Sequence, residues 1–524
     1  MELFAYHRVF ASETGAAMHL ALEKDGQLIS LNKGFGVLFP KASFTGESFD
    51  GQSKGMICPW VFRLKEGGFG VLALRRDLGK EGATAPEKGS AHCALLFRSE
   101  DLLHYTELGL LPIAPAEETL EDVRCQWDGT CYRVDGLYRG GWHAFCSDDL
   151  QTCKPARKTE PVTPRRETGL WDAAPACALS LSDSEANRLL TRLTTPPLPS
   201  NAQIYPFPLM PARGDPMALR YRDGYLFMAT DDEQGQLALK IRQAATLADI
   251  PAAEDHTLFR ANAQGDLSGC LWAPELHWVG GKLCIFFAAG MPHWYTVQSR
   301  VIWLEGDDPL NADSWTAPRR VEKADGSPLT EDGITLDMTV IPTRNGDYVI
   351  WSQRPIRTEP LLCGTADLMI ARLNSREPWR LASEPVTLSR PEYGWERIHS
   401  PVNEGAFLLR RGDRLWVTYA AALIDHTYCV GMLSALDGDD LTDPANWRKS
   451  NYPVVHRFSV PDQIGAGHNS FAKDGEGNDI MLIHALSMQN YLNDPSDLRR
   501  YPGFRQVIWD AEEYPHLDAT PAQA

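Results

Sequence analysis

The chain has 524 residues, enough for two or three domains at roughly 100–200 residues each. Its 51 basic and 69 acidic side chains leave a net charge of −18, which repels phosphate backbones, and no basic stripe offsets it, so nucleic acid is excluded as a partner. A hydrophobic content of 43% supports real cores, and 42 glycines with 36 prolines favour many short strands joined by turns.

No run of 18 apolar residues occurs, so no membrane-spanning helix is expected. The opening Met1-Glu2-Leu3-Phe4-Ala5-Tyr6-His7-Arg8 lacks the basic, apolar and small-residue segments of a signal peptide, which points to the cytoplasm, with a secreted mature form as the alternative. Residues 1–165 read as an all-β accessory domain, built from propeller-like blades. Trp60-Val61-Phe62-Arg63-Leu64 turns through Gly67-Gly68 into Phe69-Gly70-Val71-Leu72, and Ser99-Glu100-Asp101-Leu102 is echoed 48 residues later by Ser147-Asp148-Asp149-Leu150. Its inward positions, Pro59 and Trp60, carry no carboxylate. Cys125, Cys131, Cys146 and Cys153 form no CxxC pair, so the eleven cysteines are expected to be reduced thiols rather than zinc ligands.

Residues 166–200 read as a Pro-rich linker, flanked and punctuated by Pro155, Pro161, Pro164 and Pro175. It carries one short helix over Asp183–Leu193, with Ser182 or Asp183 as N-cap and Pro196-Pro197 as the stop. From 201 to 515 one phrase recurs five times: a strand, a Gly-containing hairpin turn and a more apolar strand. The copies open at Asp215, Glu275, Asp337, Glu404 and His468, spaced 60, 62, 67 and 64 residues apart. Five phase-locked all-β units predict a five-bladed β-propeller, followed by a tail over 516–524.

Innermost strands of a propeller start at one face around one funnel, so these five residues are expected to converge. Each alone also suits a strand-start cap. Together, four carboxylates and a histidine repel or share protons unless chemistry, metal or hydrogen bonds offset them. Paired carboxylates beside aromatic side chains suit glycoside hydrolysis, which needs one protonated acid and one ionised base or nucleophile. Trp272, Trp294 and Trp351 are candidates for stacking on sugar, although each also suits a core position.

These motifs resemble glycoside hydrolase family 43, the five-bladed propeller glycosidases active on arabinose- and xylose-containing glycans. Arg213-Gly214-Asp215-Pro216 is similar to the family's base motif, Trp272-Ala273-Pro274-Glu275 to a signature lining the site, and Leu336-Asp337 to the acid that tunes a pKa. Asn403-Glu404-Gly405 is similar to the general-acid motif, and Gly467-His468-Asn469 to the motif whose histidine faces the axis and helps hold a central water or ion. Met338 and Ala406 stand where the family commonly has proline. The resemblance implies Asp215 as general base, Glu404 as general acid, Asp337 as pKa modulator, and Trp272, Glu275, Trp294 and Trp351 as substrate-binding residues. No cofactor is required, but Ca²⁺ or another ion is expected at the axis near His468. The implied activity is inverting, exo-acting release of α-L-arabinofuranosyl residues from plant oligosaccharides. β-Xylosidase, galactan hydrolase, a non-catalytic carbohydrate-binding propeller and an interaction scaffold are the alternatives.

Overall fold

The computed structural model describes residues 1–44, 46, 49, 51–156 and 162–521. Pro161 and the last three positions of the expected tail lie outside them. The chain divides into two compact units, Met1–Thr195 with Glu392–Trp395, and Pro196–Pro391 with Glu396–Ala524.

The second unit contains five antiparallel sheets of three or four strands in chain order, with two small two-stranded pairs beside them. Blade 1 comprises strands Gly214–Tyr221, Gly224–Thr230, Ala238–Ala244 and His256–Arg260. Blade 2 begins with Gly269–Val279 and Lys282–Gly290, blade 3 with Ile334–Thr343 and Gly346–Arg354, and blade 4 with Asn403–Arg411 and Arg414–Ala421. Blade 5 has three strands, Gln463–Lys473, Asp479–Ser487 and Tyr501–Gln506. Each first strand packs against the first strand of the next blade, and that of blade 5 returns to blade 1. The ring is therefore closed, as the repeat spacing predicts. Ser470 Oγ donates to Pro216 O across the seam at 2.8 Å, and Tyr225 Oη donates to Lys473 O at 2.8 Å.

Strands sandwiched between neighbouring blades must be apolar on both faces, and Gly224–Thr230 is buried throughout. The hydrophobic clusters accordingly sit between blades. One joins Leu226 and Met228 of blade 1 to Leu276 and Ile285 of blade 2, and another joins Phe286 of blade 2 to Val349 and Trp351 of blade 3. Polar groups keep the packing in register. The fully buried Glu396 carboxylate accepts from Asn403 Nδ2 at 2.9 Å, Tyr419 Oη at 2.9 Å and Lys449 Nζ at 2.7 Å, fixing the start of the blade 4 inner strand. Glu396→Ala leaves the Lys449 ammonium without this partner in a largely buried place. It is expected to cost about 3–5 kcal/mol, read as a fall in the chemical-denaturation midpoint with unchanged slope.

Among the described residues the first unit holds three antiparallel sheets of four or five strands and one two-stranded pair, Ser43–Phe44 with Gly51–Gln52. Its strand Lys54–Arg63 packs against Glu2–Tyr6 and Asp122–Trp127. A register shift between Ile57 and Trp60 puts Cys58 at φ 52°, and Trp60 Nε1 donates to Cys125 O at 2.6 Å. A carboxylate does reach this bulge: Asp122 is paired with Arg165, which also donates to Pro59 O and Cys58 O.

Three sequence expectations change here. The segment 166–200 is not a free linker, because Cys177–Ser180 pairs with Glu2–Tyr6 and closes the first sheet. The helix Asp183–Leu193 forms as expected, with Ser182 and Glu185 in a reciprocal capping box, and belongs to the same unit. The described part of the tail is also packed: Leu517 and Ala519 are buried, and Thr520 O accepts from Leu198 N. Finally, Cys131 and Cys146 form a disulfide, while the other nine cysteines are thiols. Arg133 pairs with Cys146 across the hairpin, which brings Cys131, two residues before Arg133, within reach.

Candidate active site

Each of the five inner strands breaks its ladder near its start, and the residue at the break adopts a left-handed conformation. These residues are Asp215 (φ 56°), Ala273 (45°), Asp337 (55°), Gly405 (54°) and His468 (44°). Such backbone is disfavoured for side chains other than glycine and marks positions held by their surroundings. A Cβ at Gly405 would lie 2.7 Å from the His468 ring, so glycine is required there on both counts.

The breaks bring Asp215, Asp337, Glu404 and His468 into one cavity of about 330 Å³. Asp215 is the most heavily bonded of them. Its Oδ1 accepts from Arg500 Nη1 at 2.8 Å and lies 3.1 Å from His468 Nδ1, and its Oδ2 accepts from Thr230 Oγ1 at 2.6 Å. Its backbone N–H donates to His484 Nδ1, so that ring nitrogen is unprotonated. Burial holds the His484 pKa down at about 4. Burial pushes the Asp215 carboxyl upward, but the charges of Arg500 and His468 outweigh it and hold the group well below the usual carboxylate range.

Asp337 and Glu404 go the other way. Burial, reinforced by the negative charge of Glu404, pushes Asp337 up to about 7 even though His468 opposes it. Burial also raises Glu404, whose Oε1 accepts from Tyr428 Oη at 2.7 Å. Asp337 Oδ2 accepts the N–H of Gly405 at 3.1 Å, tying the two acids through one peptide. Burial disfavours the charged His468 ring, but the surrounding carboxylates prevail and raise its pKa. The site thus holds one carboxylate ionised while keeping two acids protonated to unusually high pH. That is the division of labour an acid–base hydrolysis needs.

Trp272 and Trp294 line the cavity, with Trp272 Nε1 donating to Gln236 Oε1. Two expected binding residues are not in the lining. Trp351 is fully buried in the cluster between blades 2 and 3, because its strand alternates toward that interface, so its faces are unavailable to sugar. Glu275 stands two residues beyond the left-handed Ala273, the true counterpart of Asp215, and its Oε2 lies 2.7 Å from His277 Nε2. The expected axial ion is not matched either. His468 Nδ1 is already engaged by Asp215, and no three His, Cys, Asp or Glu side chains among the described residues are placed to hold a metal.

Sequence reading missed Arg500, Tyr428, Thr230 and His484. Thr230 and His484 lie on second strands and Arg500 and Tyr428 in loops, away from the position that opens each copy of the phrase. Arg500 also pairs in a fork with Asp232, through Nε at 2.9 Å and Nη2 at 2.6 Å. It lies so close over Gly214 that a Cβ there would meet its guanidinium at 2.1 Å. The glycine before Asp215 was the one visible hint.

Residues 205–515 match Glycosyl hydrolases family 43. Among curated proteins, the chain is 35% identical to an extracellular exo-α-(1→5)-L-arabinofuranosidase of Streptomyces chartreusis, over 64% of this chain and 95% of that one. It is 32% identical to α-L-arabinofuranosidase 43 of Humicola insolens, over 59% and 62% of the two chains. Among solved structures, an α-L-arabinofuranosidase from Lactobacillus brevis superposes with a TM-score of 0.53 at 30% identity, covering 61% of this chain and 98% of that one. The closed five-bladed ring, its opposed acids and these likenesses make this a glycosidase acting on carbohydrate, and the chain belongs to glycoside hydrolase family 43.

Proposed function

We propose that this enzyme is an inverting, exo-acting α-L-arabinofuranosidase that releases terminal arabinofuranosyl residues from plant-derived oligosaccharides. The observation that carries the reading is the pairing of an ionised Asp215 with a raised-pKa Glu404 in one small cavity. In the proposed reaction Asp215 takes a proton from water, whose oxygen attacks the anomeric carbon. The glycosidic C–O bond breaks, and Glu404 delivers its proton to the departing oxygen. Burial and the negative charge of Asp215 keep Glu404 protonated, Asp337 modulates it because the two acids disfavour each other's ionisation, and Tyr428 orients it. Trp272 and Trp294 supply apolar surface for the sugar. The reaction as proposed needs no cofactor.

Hydrolysis of p-nitrophenyl α-L-arabinofuranoside well above that of p-nitrophenyl β-D-xyloside is expected, with proton NMR showing the inverted anomer first. A dominant xyloside activity would overturn the sugar assignment, and a retained anomer the mechanism.

The pH profile follows from the same charges. Activity needs Asp215 ionised, which holds down to low pH, and Glu404 protonated, which fails as pH rises through the range of the coupled acids. Asp337→Asn removes the group whose ionisation competes with that of Glu404, so Glu404 loses its proton at lower pH. The basic limb of kcat/KM is expected to move to lower pH, as a pH–rate series with a neutral aryl glycoside would read.

No helix among the described residues is long and apolar enough to cross a membrane. Cytoplasmic location is a proposal carried by the nine thiols, against which the Cys131–Cys146 disulfide stands. Cell fractionation decides it.

A further inference from the structure

A second cavity, of about 660 Å³, lies beside the catalytic one within the propeller unit. Gln236, Leu498 and Arg500 line both, so these three side chains form the partition between them. The partition is bonded as one piece. Trp272 Nε1 donates to Gln236 Oε1, Gln236 Nε2 donates to Asp232 Oδ1 at 2.9 Å, and Arg500 joins Asp232 to Asp215. The backbone of Gln236 is fixed as well. Its N–H donates to Asp231 O at 2.9 Å and its carbonyl accepts from Leu271 N at 3.0 Å, at a left-handed φ of 61°. A glutamine held in that conformation marks a position its surroundings enforce.

Where the partition stands decides what it does. Glu404, which protonates the leaving group, belongs to blade 4, whereas Asp232 and Gln236 follow the second strand of blade 1. Those two blades are not neighbours in the ring. The leaving group departs on the blade 4 side, so the partition faces the other end of the bound sugar. That is where the glycan would continue if the site accepted an internal residue. Beyond the partition, the second cavity has the volume of an ordinary ligand site. Asp232, Glu233, Ser496 and Tyr501 line it with partners for sugar hydroxyls. Room for a further sugar therefore exists, and the bonded partition stands in the way of reaching it.

We propose that this partition is the end wall that restricts the enzyme to terminal residues, with Gln236 and Leu498 as its specificity-determining side chains. This rests on the reading of the cavity as an exo-acting arabinofuranosidase site. Linear α-(1→5)-linked arabino-oligosaccharides, with products separated by chromatography, test it. The wild type is expected to release monosaccharide alone. Gln236→Gly suits the left-handed backbone while removing the side chain, and Leu498→Ala trims an exposed one. In the double variant the monosaccharide-to-disaccharide ratio is expected to fall at least about tenfold, because the clash that excludes internal residues is gone. Turnover of p-nitrophenyl α-L-arabinofuranoside is expected to drop but persist, since Asp215, Glu404 and Arg500 are intact. A double variant that turns over the aryl glycoside and still yields only monosaccharide overturns the end wall and leaves the exo reading standing. Loss of aryl turnover at an unchanged Tm assigns the two side chains to holding the ring, and overturns it equally. Should the double variant fail to fold, Leu498→Ala alone is read by the same ratio, and an unchanged ratio overturns the wall. Disaccharide from the wild type overturns the exo reading together with the wall. No turnover of any arabinoside by the wild type overturns the arabinofuranosidase reading itself.

Discussion

Replacing Glu404 with Gln is expected to lower kcat/KM on a glycoside with an alcohol leaving group by about 10²–10⁴-fold, the usual worth of one general acid. The amide keeps the shape and still meets Tyr428, but it has no acidic proton to give. A p-nitrophenolate departs without protonation, so the loss is expected to be much smaller on the aryl substrate. Equal losses on both would mean that Glu404 positions substrate instead. Asp215→Asn makes the contrasting case, because loss of the base is felt whatever the leaving group. Rate measurements on paired alkyl and aryl glycosides separate the two roles.

Arg500→Met is expected to damage the enzyme in two measurable ways. The guanidinium is bonded to both Asp215 and Asp232, and all three groups are largely buried. Removing it leaves two carboxylates without this partner, at a cost of about 3–5 kcal/mol. It also removes the largest charge holding Asp215 below the usual range. Asp215 then ionises at higher pH, so the acid limb of the pH–rate profile is expected to move upward. Loss of orientation at the base is expected to lower kcat about 10²-fold at the pH optimum. A purely structural role would lower stability without moving the acid limb, and Arg500→Lys should restore part of that limb.

The ring was legible because a strand, a tight turn and an apolar strand recur at near-constant spacing, and only stacked sheets satisfy such a beat. Asp215, Asp337, Glu404 and His468 were legible for the same reason: each sits at or beside the break in its own inner strand. Glu275 shows the limit of that reasoning. Sequence phase counts residues, whereas the backbone aligns left-handed turns, and in blade 2 the turn falls at Ala273. Trp351 fails differently, since a tryptophan at an inter-blade strand and one at a cavity wall have the same local pattern. Arg500 and Tyr428 lie in loops and His484 well along a second strand, away from the position that opens each repeat, and only three-dimensional closure brings them to the carboxylates. The disulfide was hidden because Cys131 and Cys146 meet across a hairpin rather than in a CxxC pair.

The seam between the first and last blades has a consequence for biosynthesis. The charged residues beside Asp215, Arg500 and His468, stand more than 250 positions downstream of it in the chain. A ribosome that has released four blades has therefore made Asp215 but not the charges that keep it ionised in a buried place. Competence arrives with the final strands rather than accumulating blade by blade. A polypeptide interrupted before Arg500 holds every carboxylate of the site and is expected to be far less active than the whole chain.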